Sequence, residues 1–263
     1  MENLVSVLNK STVIEFCKQY SSGKRQFPKA QLQRADLEEK SLSQVCLKEA
    51  NLSYSNLKNA DLSDADLRES SLIRAELSGA NLRRANLAGA DLSRANLAIA
   101  ELKEANLTGA CLNKACLISA KLIQVDLSYA NLTGTYLMGV DLSKTNLKGS
   151  FYNDETNFPS NFDPVSAGML QECTVEKIIA QFNHLCEYSN RYLGSTMTAK
   201  YFHSSRPNFD WLKKFEIDEF DQIIFQGGLK DSISSLQLQW IQKWIYYFIE
   251  SCSQIIKDFS KLV

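Results

Sequence analysis

Histidine, proline and glycine are scarce in this 263-residue chain, at two, four and eleven copies. Two histidines leave little for acid–base chemistry, and no HExxH, phosphate loop or Ser–His–Asp order occurs. So few glycines and prolines argue against a chain built on tight-turn loops. No run of about 18 apolar residues occurs, so no membrane span is expected. The N-terminus MENLVSVLNKSTVIEFCK lacks a basic stretch followed by a long apolar one, so no secretory signal is expected. The cysteines (Cys17, Cys46, Cys111, Cys116, Cys173, Cys186, Cys252) include no CxxC pair. An odd set without metal-ligand spacing reads as small hydrophobes in a reducing, cytoplasmic compartment. Net charge is nearly absent too, at 29 − 30 = −1. That balance excludes a polybasic nucleic-acid binder and an acidic solvating tail. With 44% apolar and 22% charged residues, the composition is that of an ordinary globular protein.

What is present in excess is order. From Leu32 to Leu147 every fifth residue is leucine, (147 − 32)/5 + 1 = 24 in all, and Phe27 extends the register upstream. Two residues before each leucine, alanine stands at 16 of the 24 places. The residue just before the leucine is usually Asp or Asn, as at Asp36, Asn51, Asn81 and Asp91. A five-residue period forms no stripe on a helix and puts successive leucines on opposite faces of a strand. It fits a polygon in which each pentapeptide is one side and the chain turns a corner after it. Leucine and the small residue then point inward, and the other three point out.

A(D/N)Lxx without interruption, as in Ala80-Asn81-Leu82-Arg83-Arg84 and Ala90-Asp91-Leu92-Ser93-Arg94, resembles the motif of the pentapeptide-repeat family. The resemblance implies a β-solenoid, a right-handed quadrilateral β-helix with four pentapeptides per coil. Twenty-four repeats would make about six coils, stacked at about 4.8 Å. Such a solenoid needs caps at both ends. Residues 1–25 are expected to form a helical cap, with Val5, Leu8, Val13, Ile14 and Phe16 apolar and Ser11 starting a short helix before Val13. Residues 26–170 are expected to be the β-helix with an irregular closing coil rich in aromatics and proline. Residues 171–263 are expected to form a small, mainly α (α+β) domain. Val175, Ile178, Ile179, Phe182 and Leu185 predict a helix to about Tyr192, ended by Gly194. Residues 201–215 read as irregular, 221–226 as a short strand, and Leu236 through Ile255, Ile256 and Phe259 as a long apolar helix.

No catalytic, cofactor-binding or metal site is expected. His184 reads as a helix-surface residue, and His203-Ser204-Ser205-Arg206 as a weak imitation of an anion site. Cys111 and Cys116 are expected to point outward in different directions, unpaired. Two surfaces stand out when positions 20 residues apart are stacked. Arg34, Tyr54, Arg74, Arg94 and Lys114 make a cationic column fit for an acidic partner. Ile99, Ile118, Met138 and Tyr136, with Ile123 one side on, make an outward apolar patch in the last coils, a contact for the chain's own C-terminal domain, a partner or a second copy. The function expected is a non-catalytic protein–protein interaction scaffold or regulatory adaptor, of a kind similar to cyanobacterial members of the family. An enzyme or ligand sensor in the C-terminal domain is the alternative. The family's DNA-mimic protection of topoisomerase requires an acidic rod, whereas residues 27–150 carry 15 Lys/Arg against 14 Asp/Glu.

Overall fold

The computed structural model describes residues 2–171, 175–218, 221–228, 233, 235–253 and 255, with the backbone alone over 2–10 and at 235, 236 and 239. The chain divides into two units, residues 1–169 and 170–263.

In the first unit, parallel bridges join residues twenty apart, from Gln26–Cys46 to Asn131–Phe151. Twenty residues are four pentapeptides, so each coil has four quarters. Two hydrogen bonds recur around every bridge. The leucine N–H donates to the next coil, as Leu32 to Asn51 O at 2.8 Å, and the bridging residue donates back, as Asn51 to Ala30 O at 2.9 Å. All 24 leucines are at most 6% exposed, and they stack into one continuous apolar axis. At the far end Tyr136 bridges Asn157, 157 − 136 = 21 residues on, so the repeat has taken in one extra residue.

The corner is a tight turn, contrary to the expectation drawn from the glycine count. Ala35 N–H donates to Leu32 O at 3.1 Å, and the third turn residue has positive φ, as Arg34 at 56°. This is the signature of a type II turn, for which glycine is the usual third residue. Here eighteen such positions hold other residues and six hold glycine. The ladder makes this possible, because the same residue's N–H is fixed to the next coil, as Arg34 to Ser53 O at 2.9 Å. Asp or Asn before the leucine also acts on the turn. Its Oδ1 accepts the N–H two residues on, as Asn51 from Ser53 at 3.1 Å and Asp61 from Ser63 at 3.1 Å. These Asx turns explain a preference that periodicity alone leaves unexplained.

Helix α1 (Glu2–Ser21) closes the N-terminal end. It runs through Ser11, so Ser11 caps nothing; the side chains of Val5 and Leu8 lie outside the described residues. Phe16 is buried edge-on against Phe27 at 4.6 Å between centroids, and Tyr20 Oη donates to Ser43 O at 2.9 Å. At the other end Phe158 packs edge-on against Tyr152 and tilted against Phe162, and both phenylalanines lie against the leucine core.

The second unit has helices α2 (Val175–Leu193), α3 (Ser195–Ser205) and α4 (Ser235–Ser253) and an antiparallel hairpin of Phe215–Ile217 with Ile223–Phe225. Helix α3 occupies part of the stretch read as irregular. Gly194, at φ 76°, both ends α2 and precedes α3. Ile255 lies in a turn beyond α4, while Glu172, Ile256 and Phe259 lie outside the described residues. Trp244 centres an aromatic core, 4.6 Å from Phe182, 4.5 Å from Phe202 and 5.9 Å from Phe215, and its Nε1 donates to Phe202 O at 2.9 Å.

Candidate interaction surfaces

Stacking at twenty residues turns each outward position into a column, and three consecutive quarters carry the residues singled out from the sequence. Arg34, Tyr54, Arg74, Arg94 and Lys114 stand one above another at the third turn position, all exposed. They are not a plain run of repelling cations. The guanidinium carbons of Arg34 and Arg74 each lie 5.8 Å from the centroid of Tyr54, on the coils before and after it. Lys114 pairs with Glu155 at 3.3 Å, beside Gly134 on the next coil. Tyr54 thus spaces two charges and Glu155 neutralises the column's end. Neither role is readable without the coil register and the course of the closing segment.

In the adjoining quarter Ile99, Ile118 and Met138 are tied rung to rung. Ile99 N–H donates to Ile118 O, and Ser119 N–H to Met138 O, both at 2.9 Å. Ile99 is 61% exposed, Met138 48% and Tyr136 45%; Ile118 is half-buried. Ile123, in the following quarter, is 39% exposed. Ile99 carries a further burden, since its φ of 54° is unfavourable for a β-branched residue. Sequence reading flagged its exposure and missed its strain.

The remaining chemistry-bearing residues are committed to structure. Cys111, expected to point outward, is buried with Sγ 3.1 Å from Ser93 Oγ; burial, then the charge of Asp91, pushes its thiol up to about 11. Cys111 is covered by its own stack, whereas Cys116, at the same position of the next pentapeptide, is half-buried. Burial likewise pushes Cys186 up to about 12. Arg206, a candidate for the alternative function, donates to the backbone oxygens of Phe215 at 2.8 Å and Leu212 at 3.3 Å and lies over Trp244 at 5.5 Å. Its Nη2 is 3.2 Å from His203 Nδ1. Since arginine only donates, Nδ1 accepts and the imidazole is neutral. Burial, then the Arg206 charge, holds His203 below its ordinary range. Among the described residues no group of three His, Cys, Asp or Glu could hold a metal, and no helix is long and apolar enough to cross a membrane.

The family model for pentapeptide repeats matches this chain in eight copies, over 27–64, 46–84, 60–98, 80–117 and 115–151. No curated protein matches it. Among solved structures it is similar to HetL, a pentapeptide repeat protein involved in heterocyst differentiation regulation from the cyanobacterium Nostoc sp. strain PCC 7120. Identity there is 35% over 53% of this chain and 65% of that one, less than two thirds of its length, with a TM-score of 0.29. Rfr23 from the cyanobacterium Cyanothece 51142 is 27% identical over 55% of this chain and 99% of its own, TM-score 0.42. A pentapeptide repeat protein from the Arabidopsis thaliana thylakoid lumen is 30% identical over 46% of this chain and 72% of its own, TM-score 0.29. The second unit lies outside the residues that the family model matches. With its unbroken leucine register, its twenty-residue ladder and these matches, the chain belongs to the pentapeptide-repeat family, whose members fold as right-handed β-helices.

Proposed function

We propose that this protein is a non-catalytic interaction scaffold with a regulatory role in the cytoplasm. The β-helix, about six coils by the repeat count, spans 26–170 between a helical cap over 1–25 and an α-rich domain over 171–263 that selects the partner. The observation that carries the reading is Ile99. An isoleucine in left-handed backbone costs about 1–2 kcal/mol relative to a residue suited to it. It is spent here on a side chain that is 61% exposed and gathers with Met138 and Tyr136. Strain and apolar exposure at one position are the marks of a contact residue. In the alternative, chemistry or ligand sensing at His203 and Arg206, the guanidinium is held by backbone oxygens of the same unit and His203 Nδ1 is held by that guanidinium.

The test is affinity capture from source cells with the full chain, comparing wild type with an Ile99→Glu/Met138→Glu double variant. A protein retained by the wild type and lost from the variant, with circular dichroism unchanged, supports the scaffold reading. An identical captured set from both chains overturns the role of this cluster.

A further inference from the structure

The four quarters of the coil treat their charges differently. In the two quarters that begin at Ser41 and Cys46, six of the cations are neutralised by neighbours. Arg84 pairs with Asp64 at 2.7 Å, Lys103 with Glu104 at 3.2 Å, and Lys121 with Glu101. Lys29 pairs with Glu49 at 3.4 Å, Lys48 with Glu69 at 3.5 Å, and Arg68 with Asp66 at 2.7 Å. The quarter with Arg34, Arg74 and Arg94 has one repeat carboxylate of its own, Asp91, whose Oδ1 accepts Ser93 N–H at 3.0 Å. Among the described residues none of these three arginines has a carboxylate partner. Tyr54 offers its ring to two of the guanidinium groups at 5.8 Å each, a weak cation–π restraint that favours their presenting together.

We propose that this column is a docking site for an acidic α-helix of a partner protein. The inference rests on the scaffold reading and adds the partner's chemistry. Spacing selects the helix. Coils repeat at about 4.8 Å, so Arg74 and Arg94 stand about 10 and 14 Å along the column from Arg34. Carboxylates at i, i+7 and i+10 of a helix fall at about 0, 10.5 and 15 Å along its axis within an arc of about 80°, so their heights are in step with the arginines. An extended strand shows one face every second residue, at about 7 and 14 Å, and misses Arg74 by about 3 Å. Duplex nucleic acid fits less well. It is wider than one column, and the adjoining quarter would set Asp36, Glu38, Glu39 and Glu76 against its phosphates.

The experiment uses the full chain and a labelled alanine-rich helical peptide with Glu at i, i+7 and i+10, read by fluorescence anisotropy at low salt. Its twin with Gln at those positions and a short DNA duplex are the comparison probes. Binding of the Glu peptide, weakened about tenfold or more by Arg74→Gln/Arg94→Gln and by added salt, supports the site. Lys103→Gln, on a paired cation, should change affinity less than about twofold. Three results would overturn the proposal: no binding of the Glu peptide, equal binding of the Gln twin, or an equal loss from Lys103→Gln. Tighter binding of the duplex, sensitive to the same arginines, would assign the column to nucleic acid instead. Failure here alongside Ile99-dependent capture would remove the acidic helix and leave the scaffold reading standing.

Discussion

Ile99 and Leu92 mark the two kinds of residue that the repeat contains, one paid in strain and one in burial. Leu92 is fully buried in the axis, with Leu72 and Leu112 above and below it in the stack. Leu92→Ala is expected to cost about 2–5 kcal/mol, and Leu92→Lys more, because a charge in a dry axis has no partner. Arg94→Glu, on the surface of the same coil, should leave the urea midpoint almost unmoved. Ile99→Asn reverses the usual direction. Asparagine tolerates left-handed backbone, so the variant should be more stable by about 1 kcal/mol while losing the proposed contact. Urea midpoints of these four variants check the whole set. The leucines were legible because each meets the same surroundings 24 times over, which leaves a strict period. The turn position was not, because Arg34, Glu39, Tyr54 and Ile99 share a conformation without sharing any chemistry. Their backbone is held by the neighbouring coil, and a glycine count cannot register that.

At the scale of elements, the caps and the helices of the second unit separate by how much apolar pattern they carry. Helix α2 buries Val175, Ile178, Phe182 and Leu185 at three and four residue spacing, and its extent is readable to within a residue or so. Helix α3, STMTAKYFHSS, buries Thr198, Phe202 and Ser205, of which only Phe202 is apolar. A helix held by one aromatic ring and two hydroxyl residues leaves no periodic trace, and Gly194 in front of it reads as a break. Helix α1 shows the opposite fault, since Ser11 imitates a cap in the middle of a continuous helix. Its function as a lid rests on Phe16 and Tyr20. Phe16→Ala is expected to cost about 3–5 kcal/mol. The loss should be local at first, so hydrogen exchange should quicken at Leu32 and Leu37 before it does at Leu92. Uniform quickening along the solenoid would mean that α1 is not what protects its first coil.

For the whole molecule, the candidate columns were legible once the twenty-residue coil was assumed, whereas the neutralising partner Glu155 and the strain at Ile99 depend on how the chain turns and closes. Acid should separate the two units, because they hold their charges by different means. In the second unit His203 sits below its ordinary value, through burial first and Arg206 next. A group whose folded value is lowered contributes its stabilisation fully above the unfolded value, about 6.5 for histidine, and loses it as pH falls toward the folded value. In the solenoid Asp66 and Glu76 are also lowered. Burial opposes their ionisation, and hydrogen bonds from Arg68 to Asp66 and from Ser78 and Asn96 to Glu76 overcome it. Their contribution holds down to about pH 4 and is lost only below. Between about pH 6.5 and 5, therefore, the second unit should weaken while the solenoid holds. All three tryptophans, Trp211, Trp240 and Trp244, lie in the second unit, so tryptophan fluorescence reports that unit alone. Denaturation followed by fluorescence should shift to lower urea over this pH range, while the solenoid's leucine amides, followed by hydrogen exchange, stay protected. His203→Gln should flatten the fluorescence-detected dependence. If wild type and His203→Gln weaken in parallel, the neutral imidazole bonded to Arg206 is not what couples this unit to pH.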